Sequence, residues 1–453
     1  MRLQDDLFAT EQRRERKQQA MAILQAATDA VEPVQAVHGL LKREGNTLSV
    51  AGRQYDLSSY SHVYVIGTGK ATGRMALAVE EILGDTITNG VITVKPGFRT
   101  QTPHIRQIEA GHPVPTWEGV EGTRAMLQIA DMARADDLVL CLISGGGSAL
   151  LVDPAEGITL AEKQELTSLM LRAGCTINEM NAVRKHISSI KGGLLARRVA
   201  PATLLTLLVS DVIGNALDVI ASGPTVPDGS SFTDALEVLR NRNLLDKAPP
   251  AVRHRLETGI RGEVPETPKV GDPAFHRTQN VIVASNEQAC QAAVVTARRL
   301  GFAPLLLSTC VEGEAREVAR VVVAIGKEMA KSGQPVRPPA CLVMGGETTV
   351  TVYGDGLGGR NQELALAAAK AMEGDRRMML AAYATDGNDG PTDASGGMVD
   401  GGTAARAHRA GISVDAALRR NDAYHCLDGA GDLLMTGPTG TNVNDVTILL
   451  VFA

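Results

Sequence analysis

Residues Gly354 to Glu363 read Gly-Asp-Gly-Leu-Gly-Gly-Arg-Asn-Gln-Glu and run into the alanine-rich segment Leu364 to Ala371. Four glycines in six positions strip side chains from the backbone. Arg360 and Asn361 then stand where a helix should begin. Bare amides at a helix N-terminus, beside a guanidinium, suit a phosphate or carboxylate. A flexible linker would need neither the arginine nor the helix. A second cation, Lys70, closes the turn Gly67-Thr68-Gly69-Lys70. It follows an apolar run, at the strand end where α/β sheets bind ligands, and a compact ammonium there suits a transferring phosphoryl group. The turn misses the dinucleotide fingerprint, because Gly73 falls one position late. It also misses the P-loop, because Ala71 replaces the hydroxyl residue that would hold Mg²⁺. The plainer alternative is a tight turn with a solvated lysine.

Ser144-Gly145-Gly146-Gly147-Ser148 follows another apolar run. Three glycines in a row are costly in chain entropy, so the backbone must be bare either for an anion or for a close helix–strand approach. Neither serine has the flanking glycines of a nucleophile elbow, which argues against a hydrolase. Asn178 to Lys191 is expected to place Asn181, Arg184, Lys185 and Ser188 on neighbouring helical faces, with Lys191 at the end; Arg184 and Lys185 could equally be solvated. Glu347 ends Gly345-Gly346-Glu347 after a third apolar run. The acidic candidates are Asp211, in Ser210-Asp211-Val212, and Asp386, Asp389 and Asp393 in the run Thr385 to Asp393. That run lacks the closing glutamate and flanking helices of an EF-hand. One carboxylate, taken as Asp386, would accept the proton of an attacking hydroxyl, while Asp211 and Asp389 are the candidate Mg²⁺ ligands. Turn-forming aspartates are the alternative.

The elements that must position these residues repeat as strand, glycine turn, helix: His62 to Ile66, Val91 to Val94, Leu138 to Ile143, Leu204 to Val209, Val281 to Ala284 and Leu342 to Met344. Continuous apolar strands alternating with helices predict a parallel sheet covered on both faces. A chain of 453 residues exceeds one ordinary core. The proline-rich stretch Pro249 to Pro273 suggests a boundary, giving domains 1–255 and 256–453. The final apolar run, Val446 to Phe452, predicts that the second sheet is completed at the end of the chain. A net charge of −6, one Trp and dispersed basic residues argue against a nucleic-acid partner. No apolar run approaches the roughly 18 residues of a membrane span. The six cysteines lie far apart, as free thiols in a reducing compartment would, and the N-terminus lacks a signal-peptide core. A cytoplasmic location is expected.

Taken in order, these residues resemble the class II glycerate 2-kinases, whose C-terminal half is called the MOFRL domain. The resemblance is carried by Val65 to Ala71, Ala110 to Pro115, Ile143 to Leu150, Asn181 to Lys191, Ser210 to Thr225, Gly345 to Glu347, Gly354 to Glu363, Thr385 to Asp393 and Gly437 to Asp445. It covers the chain from about residue 20 to the end. It implies an N-terminal Rossmann-like domain, a C-terminal mixed-sheet α/β domain and an active site in the cleft between them. It implies phosphorylation of the 2-hydroxyl of D-glycerate by ATP with Mg²⁺. A monomer or homodimer acting on small molecules is expected. The family's proposed catalytic cations fall on Lys70 and Arg360. Where the family commonly has Gly-Asp after the first acid, this chain has Gly214-Asn215, a departure that counts against a metal or base role at position 215 but not at Asp211. The rival readings are an NAD(P)H-dependent hydroxypyruvate reductase and a non-catalytic sugar-acid or nucleotide-binding protein. Against the reductase, no acid follows at a second strand's end to hold the ribose.

Overall fold

A computed structural model describes residues 2–3 and 10–453. The chain divides into two compact units, Pro33–Val283 and the pair Met1–Glu32 with Ala284–Ala453.

The unit Pro33–Val283 is built on a six-stranded sheet whose neighbours are, in order, Ile105–Glu109, Asn89–Val94, His62–Thr68, Asp137–Ile143, Thr203–Val209 and Thr278–Ala284. The first five run parallel. Asp137–Ile143 and Thr203–Val209 are buried at every position, so their side chains read as continuous apolar runs rather than alternating. In chain order the strands lie 3-2-1-4-5-6, the doubly wound arrangement with its switch point between strands 1 and 4. There Thr68 registers with Ile143, so residues 69–71 and 144–148 leave the sheet side by side.

The other unit carries a mixed sheet in the order Arg2–Leu3, Leu433–Met435, Gly396–Asp400, Met378–Ala384, Asp445–Val451, Ala340–Gly346 and Ala303–Val311. Only the last two pair in parallel among the described strands. Asp445–Val451, the last strand of the chain, lies between Met378–Ala384 and Ala340–Gly346, as the apolar C-terminus predicts.

Both expected sheets are present, but the chain divides between them elsewhere than at 255/256. Thr278–Ala284 belongs to the first sheet, which moves the division to 283/284. The proline-rich stretch contains the helix Pro250–Ile260, whose Val252 and Leu256 pack with Phe232, Leu236 and Leu239. The N-terminal helix Glu11–Asp29 belongs to the second unit. It buries Ala20, Ile23, Leu24 and Ala27, and Arg13 donates to Asp400 at 2.6 Å and to Asp432 at 2.5 Å. Four cysteines are buried and none is in a disulfide among the described residues. No helix among them is long and apolar enough to cross a membrane.

Candidate active site

The two loops at the switch point differ in what their amides do. In the first, the Gly69 N–H donates to the Thr93 carbonyl at 3.1 Å and the Lys70 N–H to the Gly145 carbonyl at 2.9 Å. The Ala71 N–H donates to the Ser144 hydroxyl at 3.0 Å, and that of Thr72 to the Gly69 carbonyl at 3.4 Å. The turn's own amides are therefore spent, and the turn is closed by its neighbour loop. Ser144 is buried and also pairs with the Thr72 hydroxyl at 3.0 Å, so it staples the loops together. Gly67 and Gly69 have no room for a side chain against Leu142 and Ser144, and Gly147 none against Ala221. For those three glycines the close-approach reading holds.

The second loop keeps its donors. The amides of Gly145, Gly146 and Ser148 have no acceptor among the described residues. Gly146 takes φ +83, and its bare face looks onto the His112 ring and Lys70 Cγ, each 3.1 Å from where a Cβ would stand. A Gly145 side chain would collide with the Asp211 carboxylate. Ser148 Oγ lies 3.3 Å from Ser222 Oγ, which donates to Asn181 Oδ1 at 2.9 Å. Asn181 is buried, and its Nδ2 has no partner among the described residues.

A cavity of about 200 Å³ opens against this loop, lined by His112, Pro113, Pro115, Gly146, Ser148, Ala149, Lys163, Thr167, Arg184 and Lys191. Arg184 and Lys191 thus meet Gly146 and Ser148, though not by the helical route expected. The helix Ile177–His186 stops five residues before Lys191, and Ser188 bridges to Pro154 instead. Lys185 is not solvated but buried, donating to Asp228 at 3.1 Å. Burial, then the charges of Lys70 and Lys95, push the His112 imidazole down to about 4. Burial, then Arg184, pushes Lys163 down to about 7, and Lys191 falls well below its ordinary value by burial, then by Lys163. Asp211 is raised by burial, against its own amide and Lys70.

In the second unit Arg360 opens the helix Arg360–Ala371, as expected. The N-terminal amides of that helix are not bare, however. Asp389 is buried and accepts the Asn361 N–H at 3.1 Å and the Gln362 N–H at 2.8 Å, together with both side-chain amides. The glycines before the helix serve packing: Gly354 and Gly356 press on Arg420 and Asp422, and Gly359 on Asp389. Arg360 donates through Nε and Nη2 to Asp445 at 2.6 and 3.0 Å, and Nη1 lies 2.8 Å from Glu347 Oε1. Burial opposes its charge, but Asp445 and then Glu347 outweigh that and raise it. Asp389 is pushed up to about 6 by burial, against the two helix amides. Asp386 follows the strand Met378–Ala384, and its Oδ1 accepts the Asn388 N–H at 3.0 Å.

Two family profiles cover most of the chain. One described as a domain of unknown function (DUF4147) matches residues 19–257, and the MOFRL family matches residues 340–445. A glycerate 2-kinase of Pyrococcus horikoshii is 43% identical, the match covering 94% of this chain and 95% of the relative. The crystal structure of a glycerate kinase from Thermotoga maritima is 40% identical and superposes with a TM-score of 0.87 over 97% of this chain and all of its own. The chain belongs to the glycerate 2-kinase family. A protein of Agrobacterium vitis, provisionally named a hydroxypyruvate reductase, is 41% identical over 85% of this chain and 98% of its own.

Among the described residues of this family member, no group of three or more His, Cys, Asp or Glu side chains is arranged to hold a metal by itself. Mg²⁺ does not need one, since it is commonly held by one or two carboxylates, water and substrate phosphates. Asp211 fits that role, because no other residue hydrogen-bonds its carboxylate among those described. Asp389 does not fit, because its oxygens are taken by the helix it caps. Sequence reading missed Lys163, His112 and Asp445. Lys163 had a signal: it shares the buried stripe of the helix Leu160–Arg172 with Leu166 and Met170.

Proposed function

We propose that this chain is a glycerate 2-kinase, transferring the γ-phosphoryl group of ATP to the 2-hydroxyl of D-glycerate. The carrying observation is Lys70 at the switch point of a doubly wound sheet, against Gly146 and its cation-lined cavity. Anion sites in such folds lie outside the strands' C-terminal ends, and the free amides of residues 145, 146 and 148 add donors there. Oxygen of the acceptor attacks γ-phosphorus, the bond from phosphorus to the β-bridging oxygen breaks, and ADP leaves. The acceptor's proton goes to a carboxylate, assigned to Asp386. Lys70 and Arg360 balance charge on the transferring group. Arg360 has five N–H donors, of which three are engaged by Asp445 and Glu347, so two remain for a phosphoryl oxygen. Mg²⁺, bound by Asp211 and substrate phosphates, would neutralise phosphate charge.

The spent amides of Gly69, Lys70, Ala71 and Thr72 count against the reductase reading, which needs that turn to cradle a pyrophosphate. The phosphorus NMR spectrum of a reaction of ATP with D-glycerate tests the proposal. A 2-phosphoglycerate resonance is expected. Absence of a phosphorylated product, or oxidation of NADH by hydroxypyruvate without ATP, would overturn it.

A further inference from the structure

The cavity beside Ser148 is lined by three cations, Lys163, Arg184 and Lys191, and by no carboxylate. The acid closest in electrostatic effect on Lys163, Asp153, is already held by Arg124 at 3.1 Å and by the Ser189 hydroxyl. Lys163 Nζ reaches one carbonyl, that of Ile187 at 3.4 Å, and Lys191 Nζ one, that of Ala221 at 3.3 Å. Arg184 has no hydrogen-bond or ion-pair partner among the described residues. An ammonium carries three donors and a guanidinium five, so most of the donors on these side chains are uncommitted.

We infer that this cavity is the subsite for the carboxylate of the hydroxy-acid acceptor, and that Lys163, with Arg184, selects acids as substrates. The inference rests on the kinase reading proposed above and deepens it. Two buried ammonium groups and a half-buried guanidinium without a free counter-charge are costly, and a ligand anion offsets that cost. Depression of Lys163 by burial and then Arg184, and of Lys191 by burial, Lys163 and Arg184, is the same cost seen as proton affinity. Size narrows the ligand: about 200 Å³ suits a three-carbon acid, since sites for larger, drug-sized ligands run from roughly 300 to 1,000 Å³. The cavity meets Lys70 at Gly146, so an acid anchored by its carboxylate here can turn its hydroxyl toward the transferring group.

The test is steady-state kinetics of the full chain with Lys163→Met and, separately, Arg184→Gln, varying D-glycerate and ATP in turn. KM for D-glycerate should rise on the order of 10²-fold, as when one member of a buried charge pair is truncated, with KM for ATP unchanged. Arg184→Gln removes a group that supports nothing else, and keeps the question open to measurement if Lys163→Met fails to fold. An unchanged KM for D-glycerate in a wild type that turns it over overturns the inference and leaves the kinase reading standing. A rise in KM for ATP, alone or alongside, also overturns it, because the cavity would then hold nucleotide phosphate. No turnover of D-glycerate by the wild type removes the kinase reading itself.

Discussion

Arg360 and Lys163 are held in opposite ways, and the difference predicts how each responds to substitution. Arg360 is fixed by two carboxylates, one bidentate, which orients its fork without using all its donors. Replacing it or Lys70 by alanine should lower kcat on the order of 10³-fold, the usual effect of removing a transition-state cation from phosphoryl transfer. Near-native turnover in either variant would refute the role. Lys163 has no such support, and its folded-state pKa of about 7 lies below the ordinary 10.5. Between those values the unfolded chain binds the extra proton, so stability gains as pH rises through that window and the penalty is greatest below it. Lys163→Met should therefore raise the melting temperature of the ligand-free protein at neutral pH and flatten its rise toward alkaline pH. Thermal melts across pH check this. A lower melting temperature for the variant would mean that Lys163 is not a buried cost. His112 works at the other end of the scale. Its pKa of about 4 against an ordinary 6.5 means that the folded protein loses stability as pH falls from 6.5 toward 4. In a proton NMR titration its imidazole should stay neutral down to that range.

At the scale of elements, what matters is which backbone groups each loop spends. The Lys70 turn closes on Ser144 and Gly145 because parallel strands in register bring the two loops together. Ser144→Ala would orphan the buried Ala71 N–H, at a cost of about 1–3 kcal/mol. A lowered urea midpoint at unchanged slope is expected, with the smaller change in KM. For Ser148→Ala, whose residue lines the cavity, the order should reverse, with KM for D-glycerate moving more than stability. Asp389 plays the corresponding part for the helix Arg360–Ala371, taking the amide places that a ligand phosphate would otherwise occupy. Glycine content alone does not distinguish these cases. A run of glycines marks where backbones come close, and only the partner tells whether that is a ligand, a strand or a carboxylate of the same chain.

For the whole molecule, the unit Pro33–Val283 is continuous in sequence and the other is not. The helix Glu11–Asp29 buries apolar residues and places Arg13 and Lys17 on Asp432, far along the chain. A fragment of residues 33–283 should unfold cooperatively by itself. A fragment of residues 284–453 should not, until residues 1–32 are supplied. Circular dichroism melts of the fragments test both expectations, and a cooperative melt of 284–453 alone would contradict the packing role of the helix.

The strand, glycine-turn, helix rhythm, a last strand that completes the second sheet, Lys70 at a strand's end and Arg360 at a helix's start were legible in the chain, because apolar runs and glycines are local signals of burial and tight turning. The mixed second sheet came with the family resemblance, and the central place of the last strand came with the fold. The edges of the units were not. A proline-rich stretch reads as a linker whether or not its helix is packed, and nothing local in Glu11–Asp29 names the sheet it will cover. Ser144 and Asp389 were likewise readable as residue types but not as roles. Whether an oxygen is free for a ligand depends on which amides lie within hydrogen-bond reach, and register and packing decide that. Lys163 shows the same division from the other side: the sequence placed a lysine in an apolar stripe, and only the fold brought Arg184 and Lys191 to it around an acid-free cavity. Charge is written residue by residue, but an electrostatic site is a sum over neighbours, and the neighbours are chosen in three dimensions.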